Sequence, residues 1–537
     1  MPFCKQLGHL FHIAGIRPTI TTYYESYHLS LQQLGAARGS CSDGSVVPVL
    51  LSGPRERVSD RRRGRALTRA SRWARSGKTN MSQTHPTHSR REFLTLATAG
   101  GSALGLANLV DLAAEPGGPP EGTSQQKRVF GLRAPPMEKV RIGIIGVGGR
   151  GSGLLGNLLD IEGVELKAIC DLAPDRVSRA QDRVVAKGHP KPVGYSHGDT
   201  DFENLCRRDD IDLVYIATPW DWHVPMAVRA MKNGKHAATE VPAAMTIKEC
   251  WELVDTAEMT QRHCMMLENC CYGETELLVL SMERQGVFGE LVHGEAGYLH
   301  EARDFTMEGS ADTNWRRRFV TQLNGNLYPT HGLGPVAQYM GINGGDKFDY
   351  LVSMSSLELG LSRRRDTLPP DDPRRREKYA CGDINTSLLK SALGRTIMIQ
   401  FSLAMPRPYS RINAISGTRG TFCDYPPRVH VDGQAEGWET DLQPYREKYG
   451  HPLWKQLGER AEKSGGHGGM DYLMNWRLIY CLRHGLPLDM TVYDAAAWSS
   501  VVPLSIESVS KGSAPVVVPD FTRGEWRDQK PIGIVTV

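Results

Sequence analysis

The sequence predicts an α/β protein in which a doubly wound parallel sheet precedes a second α/β domain with an open, largely antiparallel sheet. The first prediction rests on a buried strand pattern, Val140 to Ile145, that runs into the turn GVGGRG and an amphipathic helix. This is the order of a Rossmann dinucleotide-binding unit. Strand and helix patterns then alternate as far as residue 267, whereas strand patterns dominate beyond residue 285.

Each glycine of the turn has a physical role. Gly146 makes the tight turn, Gly148 lets the backbone approach a pyrophosphate, and Gly151 lets the helix pack closely on the strand. Asp171 ends the second strand twenty residues after Gly151. A carboxylate there accepts hydrogen bonds from a ribose hydroxyl and repels a 2′-phosphate. The unit is therefore predicted to bind NAD in preference to NADP.

The first 80 residues differ in composition from the rest of the chain. They carry 13 Lys and Arg against 4 Asp and Glu, a net charge of +9 within a whole-chain charge of +4. They lack sustained periodicity, so we interpret them as a disordered basic extension or as the product of a misplaced start, with Met81 the true start. A nucleic-acid-binding arm is not favoured, because neither a pattern of interleaved aromatic residues nor a known fold supports it.

Residues 81–115 resemble a twin-arginine export signal. Arg90 and Arg91 precede a short, weakly apolar segment rich in Ala, Gly and Leu. The alternative is a chance arginine pair before a buried helix. The signal predicts export of the folded protein to the periplasm or the exterior, with residues 116–136 as a linker. No run of 18 apolar residues occurs, so no membrane span is predicted.

The eleven cysteines show no paired spacing. Because there is no CxxC and no His/Cys cluster at zinc spacing, we predict buried free thiols and no metal site.

The order of the predicted helices and strands indicates where ligands should bind. Before residue 270, helices are predicted at 174–187, 223–233 and 247–260, and strands at 211–217, 236–239 and 264–267. After it, helices are predicted at 275–285, 470–484 and 492–508, strands at 291–299, 350–354, 387–388, 396–403 and 409–416, and a charged loop at 363–378. We predict a nucleotide domain at 137–270 and a substrate and oligomerisation domain at 271–537. Ligand-facing residues should follow the strand ends: Trp220, Asp221, Trp222, His223, Glu240, Val241, Pro242, Glu268 and Asn269.

Several longer motifs carry a family resemblance. ATPWDWH, EVPAAMT, MMLENCCYG, YPTHGLGP, GHGGMDYLMNWRLI and PDFTRGEW lie within about residues 140–526. With them the chain resembles the Gfo/Idh/MocA superfamily of NAD(P)-dependent sugar oxidoreductases and, within it, glycoside hydrolase family 109. YPTHGLGP and EVPAAMT are far more specific than the glycine turn.

One departure from ordinary dehydrogenases favours the hydrolase family. Most sugar oxidoreductases of the superfamily have Glu-Lys-Pro where this chain has Glu240-Val241-Pro242. Loss of that ammonium removes a general acid–base group. Two alternatives stay open: an exported NAD(P)-dependent sugar oxidoreductase, and an inactive protein that binds NAD and sugar. By analogy and geometry, we predict a cis Val241–Pro242 peptide bond.

The resemblance implies redox-neutral hydrolysis of a terminal α-N-acetylgalactosaminide, with tightly bound NAD⁺ that is not consumed. Oxidation at C3 acidifies the C2 proton, elimination breaks the C1–O bond, and water addition and reduction follow. The implied NAD contacts are Arg150, Gly151, Asp171, Trp220, Asp221, Trp222, His223, Glu240, Val241, Asn269 and Tyr328. The implied substrate contacts are Tyr298, Arg316, Tyr328, Pro329, Thr330, His331 and Tyr409.

Two of these residues are predicted to be catalytic. Histidine is the side chain best suited to exchange a proton at neutral pH, so His331 is a candidate for proton transfer from the C3 hydroxyl. Tyr298 either handles the C2 proton or the leaving oxygen, or it binds a sugar hydroxyl. The guanidinium of Arg316 can donate several hydrogen bonds to sugar hydroxyls or to an acetamide carbonyl. A homo-oligomer is also expected, because the open face of the second sheet needs a partner.

Overall fold

The computed structural model describes residues 127–309, 314–434 and 436–537. The predicted basic extension and the export signal lie outside these residues, as does most of the predicted linker. Among the described residues, no helix has both the length and the hydrophobicity needed to cross a membrane.

The first sheet has six parallel strands in the order β3-β2-β1-β4-β5-β6. Its strands are β1 Val140–Ile145, β2 Val164–Cys170, β3 Val193–Tyr195, β4 Leu213–Ile216, β5 His236–Thr239 and β6 Cys264–Met266. β4, β5 and β6 are buried along their whole length, which is typical of a parallel sheet covered by helices on both faces. The order reverses beside β1, so the crevice at the carboxyl ends of β1 and β4 is where a nucleotide binds in such sheets.

Six helices connect these strands and lead out of the sheet. They are α1 Gly149–Leu159, α2 Pro174–Ala186, α3 Phe202–Cys206, α4 His223–Lys232, α5 Ile247–Thr260 and α6 Glu274–Arg284. α5 begins with a capping box, in which Thr246 accepts from the backbone of Glu249 and the Glu249 side chain accepts in return. The predicted bounds of α5, β5 and the later strand Leu291–Leu299 are confirmed.

The second sheet has eight strands in the order β13-β12-β11-β7-β10-β9-β8-β14. They are β7 Leu291–Leu299, β8 Phe348–Ser355, β9 Asn385–Ser391, β10 Thr396–Ser402, β11 Ala414–Gly417, β12 Gly420–Cys423, β13 Arg428–Val431 and β14 Val516–Val517. β7 and β10 are parallel, and every other pair is antiparallel. The predicted α/β class and the largely antiparallel second sheet are confirmed.

The remaining helices follow β7 in the chain. They are α7 Arg303–Met307, α8 Trp315–Gln322, α9 Thr330–Tyr339, α10 Gly360–Arg365, α11 Gln443–Tyr449, α12 Pro452–Ser464, α13 Met470–His484, α14 Val492–Ser499 and α15 Val501–Ser510. α13 contacts α1 and β1, and α14 contacts α5 and β6. The C-terminal part of the chain therefore returns to cover the nucleotide-binding sheet.

Three predicted elements are wrong in detail. The strand predicted at 409–416 is interrupted, because Ile412 and Asn413 adopt left-handed backbone angles, and only Ala414–Gly417 pairs as a strand. The helix predicted at 492–508 is two helices that meet at Ser500; Pro503 cannot donate a backbone hydrogen bond and lies in the first turn of the second. The loop predicted at 363–378 contains the end of α10 and a 3₁₀ turn at Pro373–Arg376.

The prediction of buried free thiols is confirmed for the described part of the chain. All nine cysteines there are free thiols, and eight of them are buried.

Candidate cofactor and substrate site

The glycine turn between β1 and α1 has the close backbone approach that the sequence predicts. Gly146 has φ +86°, and a Cβ there would lie 2.5 Å from the carbonyl oxygen of Ala217 at the end of β4. A Cβ on Gly151 would lie 1.9 Å from the carbonyl oxygen of Gly146. Neither position can hold a side chain without moving the backbone, so the turn is built as a narrow cradle at the start of α1.

Asp171 lies at the end of β2, against the same turn. Its Oδ2 accepts from the backbone N–H of Val147 at 2.9 Å, and its Oδ1 accepts from Ala173 at 3.0 Å. Arg176 lies 3.6 Å from Oδ1. The carboxylate is thus held at the edge of the crevice where a ribose is bound in this fold.

Arg150, the fifth residue of GVGGRG, lies between two carboxylates. Its Nε donates to Glu240 at 2.8 Å, and its Nη1 and Nη2 donate to the two oxygens of Asp471 at 2.6 and 3.0 Å. Asn269 also donates to Asp471, at 2.7 Å. Three predicted cofactor residues from different strand ends, Arg150, Glu240 and Asn269, are therefore joined in one network.

The segment after β5 turns sharply beside that network. The Val241–Pro242 peptide bond is cis, as predicted. His223 fixes this turn from α4, because its ring nitrogens lie 2.8 Å from the carbonyl oxygen of Pro242 and 2.9 Å from that of Thr218. Burial lowers the pKa of His223. His223 thus joins two strand ends that face the crevice.

Three side chains in the segment after β4 contact different parts of the protein. Trp220 is buried and packs against Trp315, Phe319 and Tyr328, with ring centroids 4.9, 4.8 and 5.7 Å away. Asp221 forms an ion pair with Arg318 of α8. Trp222 packs instead against Phe202 of α3. Of these three predicted residues, Trp220 is the one that joins the cofactor side to Tyr328.

His331 and Glu268 form a hydrogen-bonded pair at the centre of the site. The Nδ1 atom of His331 lies 2.6 Å from Oε1 of Glu268, which follows β6 by two residues and is fully buried. Burial alone would raise the pKa of Glu268, but His331 and other nearby donors lower it below its usual value. An ionised Glu268 therefore accepts a hydrogen bond from the Nδ1–H of His331. The other ring nitrogen, Nε2, is then the one that can exchange a proton with the substrate.

Two tyrosine rings lie next to His331, and a third packs against one of them. Its ring lies 5.6 Å from Tyr298 on β7 and 4.9 Å from Tyr328, centroid to centroid. Tyr298 in turn lies 4.8 Å from Tyr328 and 5.8 Å from Tyr409. The predicted catalytic pair and two predicted substrate tyrosines are therefore brought together.

The remaining predicted substrate residues border this cluster. Pro329 precedes α9 and Thr330 begins it, so both place His331 in its first turn. The guanidinium carbon of Arg316 lies 4.1 Å from the ring centroid of Trp315, which packs on Trp220. Arg316 is half-buried, so its donors stay accessible at the edge of the aromatic cluster.

One group of possible metal ligands occurs among the described residues. The ligand atoms of Glu268, Cys270 and His331 lie within 4.8 Å of one another. Burial raises the pKa of Cys270 well above its usual value, so the thiol keeps its proton. The hydrogen bond between Glu268 and His331 already occupies the other two, and the group is therefore better described as an acid–base pair beside a thiol.

Sequence reasoning gave Glu268 no specific role and did not identify Asp471 at all. Glu268 was expected near a ligand because it ends a strand, but no spacing links it to His331, 63 residues away. Asp471 lies in GHGGMD, yet it reaches Arg150 across 321 residues. Neither pairing has a sequence signal.

The fold and the site together define a dinucleotide-binding α/β enzyme with acid–base side chains at the edge of its Rossmann sheet. Residues 140–268 match the oxidoreductase family with an NAD-binding Rossmann fold, and residues 272–528 match the C-terminal domain of glycosyl hydrolase 109. The chain belongs to glycosyl hydrolase family 109. A family 109 protein of Shewanella baltica is 52% identical over 454 residues, which cover 83% of this chain and 98% of the relative. A protein of Shewanella oneidensis named alpha-N-acetylgalactosaminidase is similar to the same extent.

Solved structures support the fold. A levoglucosan dehydrogenase in complex with NADH is 20% identical, with a TM-score of 0.56, and the match covers 71% of this chain and 99% of that one. An NAD-binding oxidoreductase from Klebsiella pneumoniae is 19% identical, with a TM-score of 0.57 and coverage of 71% and 100%. This chain is therefore an NAD-dependent glycoside hydrolase built on the oxidoreductase fold.

Proposed function

We propose that this protein removes terminal α-linked N-acetylgalactosamine by a redox-neutral cycle in which NAD⁺ is regenerated. The observation that carries the proposal is the His331–Glu268 pair, placed among Tyr298 and Tyr328 beside a complete dinucleotide cradle. The name of the Shewanella oneidensis relative, at 52% identity, supports the substrate class.

The residues of the crevice fit NAD. Gly146 and Gly151 leave no room for a Cβ against the neighbouring backbone, so the start of α1 lies close to the ends of β1 and β4. A helix start in this position is where a pyrophosphate binds in Rossmann units. Asp171 has the position of the ribose carboxylate. When bound, NAD⁺ supplies a hydride acceptor for C3 of the sugar and later a hydride donor.

His331 is assigned to the C3 hydroxyl proton. Because Glu268 accepts from Nδ1, the second ring nitrogen is available as a base while the sugar is oxidised and as an acid when it is reduced. The negative charge of Glu268 stabilises the imidazolium that forms in between. Val241 at the lysine position makes His331 the better candidate for this proton.

Tyr298 is assigned to the next proton transfer. A C3 ketone acidifies the C2 proton, and a base next to the sugar can then remove it as the C1–O bond breaks. The phenol ring of Tyr298 lies 5.6 Å from the His331 ring, so both can reach one sugar. Water addition at C1 and return of the proton at C2 would leave a 3-keto sugar. Return of the hydride to C3 would then give the free sugar, with no change in oxidation state overall.

The purified protein with an aryl α-N-acetylgalactosaminide tests this proposal. We expect aryl release without accumulation of NADH. Stoichiometric NADH with a stable keto sugar would favour the alternative oxidoreductase, and sugar binding without turnover would favour the inactive binding protein.

We also propose, from sequence alone, that residues 81–115 direct export by the twin-arginine pathway. Arg90 and Arg91 before a weakly apolar segment support this. Replacement of both by Lys should retain a reporter fused after residue 136 in the cytoplasm.

A homo-oligomer is the third proposal. The outer face of the second sheet exposes large apolar side chains on neighbouring strands: Tyr350 and Met354 on β8, Leu388 on β9 and Val517 on β14. An eight-stranded sheet face of this kind is typical of an association surface, and a second copy of the chain would cover it.

A further inference from the structure

A second glycine-rich segment, residues 464–469 with the sequence SGGHGG, lies beside the dinucleotide turn. We call it the 464–469 loop. Gly465, Gly466, His467, Gly468 and Gly469 all have positive φ, from 48° to 95°. A Cβ on Gly466 would lie 2.7 Å from Oδ2 of Asp471. This compact left-handed path requires glycine, and it brings the start of α13 close to α1.

Side chains of α1 fasten the loop in place. Asn157 donates to the hydroxyl of Ser464 at 3.1 Å and to the carbonyl of Gly465 at 3.2 Å. The Ser464 hydroxyl donates to Asp160, which follows α1, at 3.0 Å. The start of the loop is therefore held against the last turn of the helix whose first turn forms the phosphate cradle.

Asp471, just after the loop, completes the connection. Both of its oxygens accept from the Arg150 guanidinium, while Asn269 shares Oδ1 and His467 lies 2.9 Å from Oδ2. Burial opposes ionisation, yet Arg150 and His467 lower the pKa of Asp471 far below its usual value. These partners favour the ionised form of a side chain that is almost entirely shielded from solvent.

We infer that Asp471 and the 464–469 loop retain the dinucleotide by fixing Arg150 over the phosphate cradle. A guanidinium has five N–H donors in a rigid plane, and three of them go to Glu240 and Asp471. That bidentate pairing fixes the plane and the position of the guanidinium at the start of α1, the part of such a unit where a pyrophosphate binds. Because Glu240 and Asp471 balance its charge, the guanidinium would act through the placement of its remaining donors. The inference rests on the proposed redox-neutral cycle, because the nicotinamide that accepts the hydride must stay bound to return it.

The test compares cofactor release from the full-length protein and its Asp471→Asn variant. Each is loaded with NAD⁺ and filtered, and the cofactor remaining per chain is measured over time by native mass spectrometry. We expect release from Asp471→Asn to be about tenfold faster or more, as expected for loss of a charge-assisted bidentate contact. Added NAD⁺ should restore its hydrolase activity.

Two further variants keep the test decisive. His467→Ala changes a half-exposed contact of the same carboxylate and should accelerate release to a smaller degree, without a folding defect. Asp489→Asn is the matched control, because it breaks another buried pair on α13, with Arg477 at 2.7 Å. It should lower the melting temperature but leave the release rate unchanged.

Equal release rates for wild type and Asp471→Asn would overturn the inference, as would faster release from Asp489→Asn alone. Release is measured without turnover, so either result leaves the proposed glycosidase chemistry to its own test. Conversely, a protein that retains NAD through Asp471 but cleaves no glycoside would contradict the proposed function alone.

Discussion

The proposed chemistry depends on single residues that pair with partners far away in the sequence. His331 was predicted as the acid–base group from its motif, and the structure adds the carboxylate that orients it. Glu268 is buried and lies 2.6 Å from Nδ1 of His331, so that nitrogen is held in a hydrogen bond. The other ring nitrogen can transfer a proton to or from the substrate. No sequence spacing could supply that partner, since it comes from the end of a distant strand.

His331→Asn should leave NAD bound while kcat falls by about 10²–10⁴, the usual range for loss of a general acid–base. Cofactor content and steady-state kinetics check this. His300→Asn, which changes a neighbouring ring that packs on Tyr298 at 5.9 Å, serves as the control and should lower kcat far less. Near-normal kcat with a raised KM in His331→Asn would mean that His331 only holds the sugar.

Tyr298→Phe should slow exchange of the C2 proton with solvent more than it slows hydride transfer. The phenol is assigned to the second step, whereas its ring packing is unchanged by loss of the hydroxyl. Exchange is followed by NMR and hydride transfer by single-turnover absorbance. The effects of Tyr298→Phe and His331→Asn should not add, because both act on one reaction coordinate. Equal slowing of the two steps would instead assign Tyr298 to binding.

Among the secondary-structure elements, the nucleotide-binding half was the most predictable. Buried parallel strands appear as continuous apolar runs, and their helices have clear amphipathic periods, so β1, α5 and β5 match their patterns closely. Prediction failed where local residues oppose the final structure. α9 carries His331 but contains Pro335 within GLGP, a sequence that is typical of a turn, and only tertiary packing makes it a helix.

At the same scale, Gly151→Ala should abolish tight NAD binding and lower the free energy of unfolding. The added Cβ would lie 1.9 Å from the carbonyl oxygen of Gly146, so the helix must move away from the turn. Cofactor content and thermal unfolding measure the effect. Gly153→Ala is the matched control on the same helix, since no atom lies within 4 Å of its Cβ. It should keep NAD and gain up to about 1 kcal/mol of stability. Normal NAD content in Gly151→Ala would contradict the cradle.

For the whole molecule, the sequence indicated the order of the two sheets along the chain. It did not indicate that C-terminal helices pack back on the first sheet. The pattern assigned α13 and α14 to the second half, yet they pack on the nucleotide-binding sheet. This return is what carries Asp471 to Arg150. Such long-range contacts depend on the full packing of the chain, which periodicity and motifs do not encode.

The open face of the second sheet gives a prediction at this scale. Leu388→Lys places a charge in the centre of the exposed apolar face and should shift an oligomer towards the monomer, as light scattering would measure. Met259→Lys, an equally exposed apolar position on α5, should leave the assembly unchanged. A wild-type protein that is monomeric at micromolar concentration would contradict the proposed association.

The isotope content of the product tests the central claim most directly. Hydrolysis of an aryl α-N-acetylgalactosaminide in D₂O is followed by NMR of the released sugar, with the NADH absorbance recorded in parallel. The oxidation–elimination route predicts deuterium at C2 of the product and no net NADH. Full retention of the C2 proton throughout turnover would contradict it.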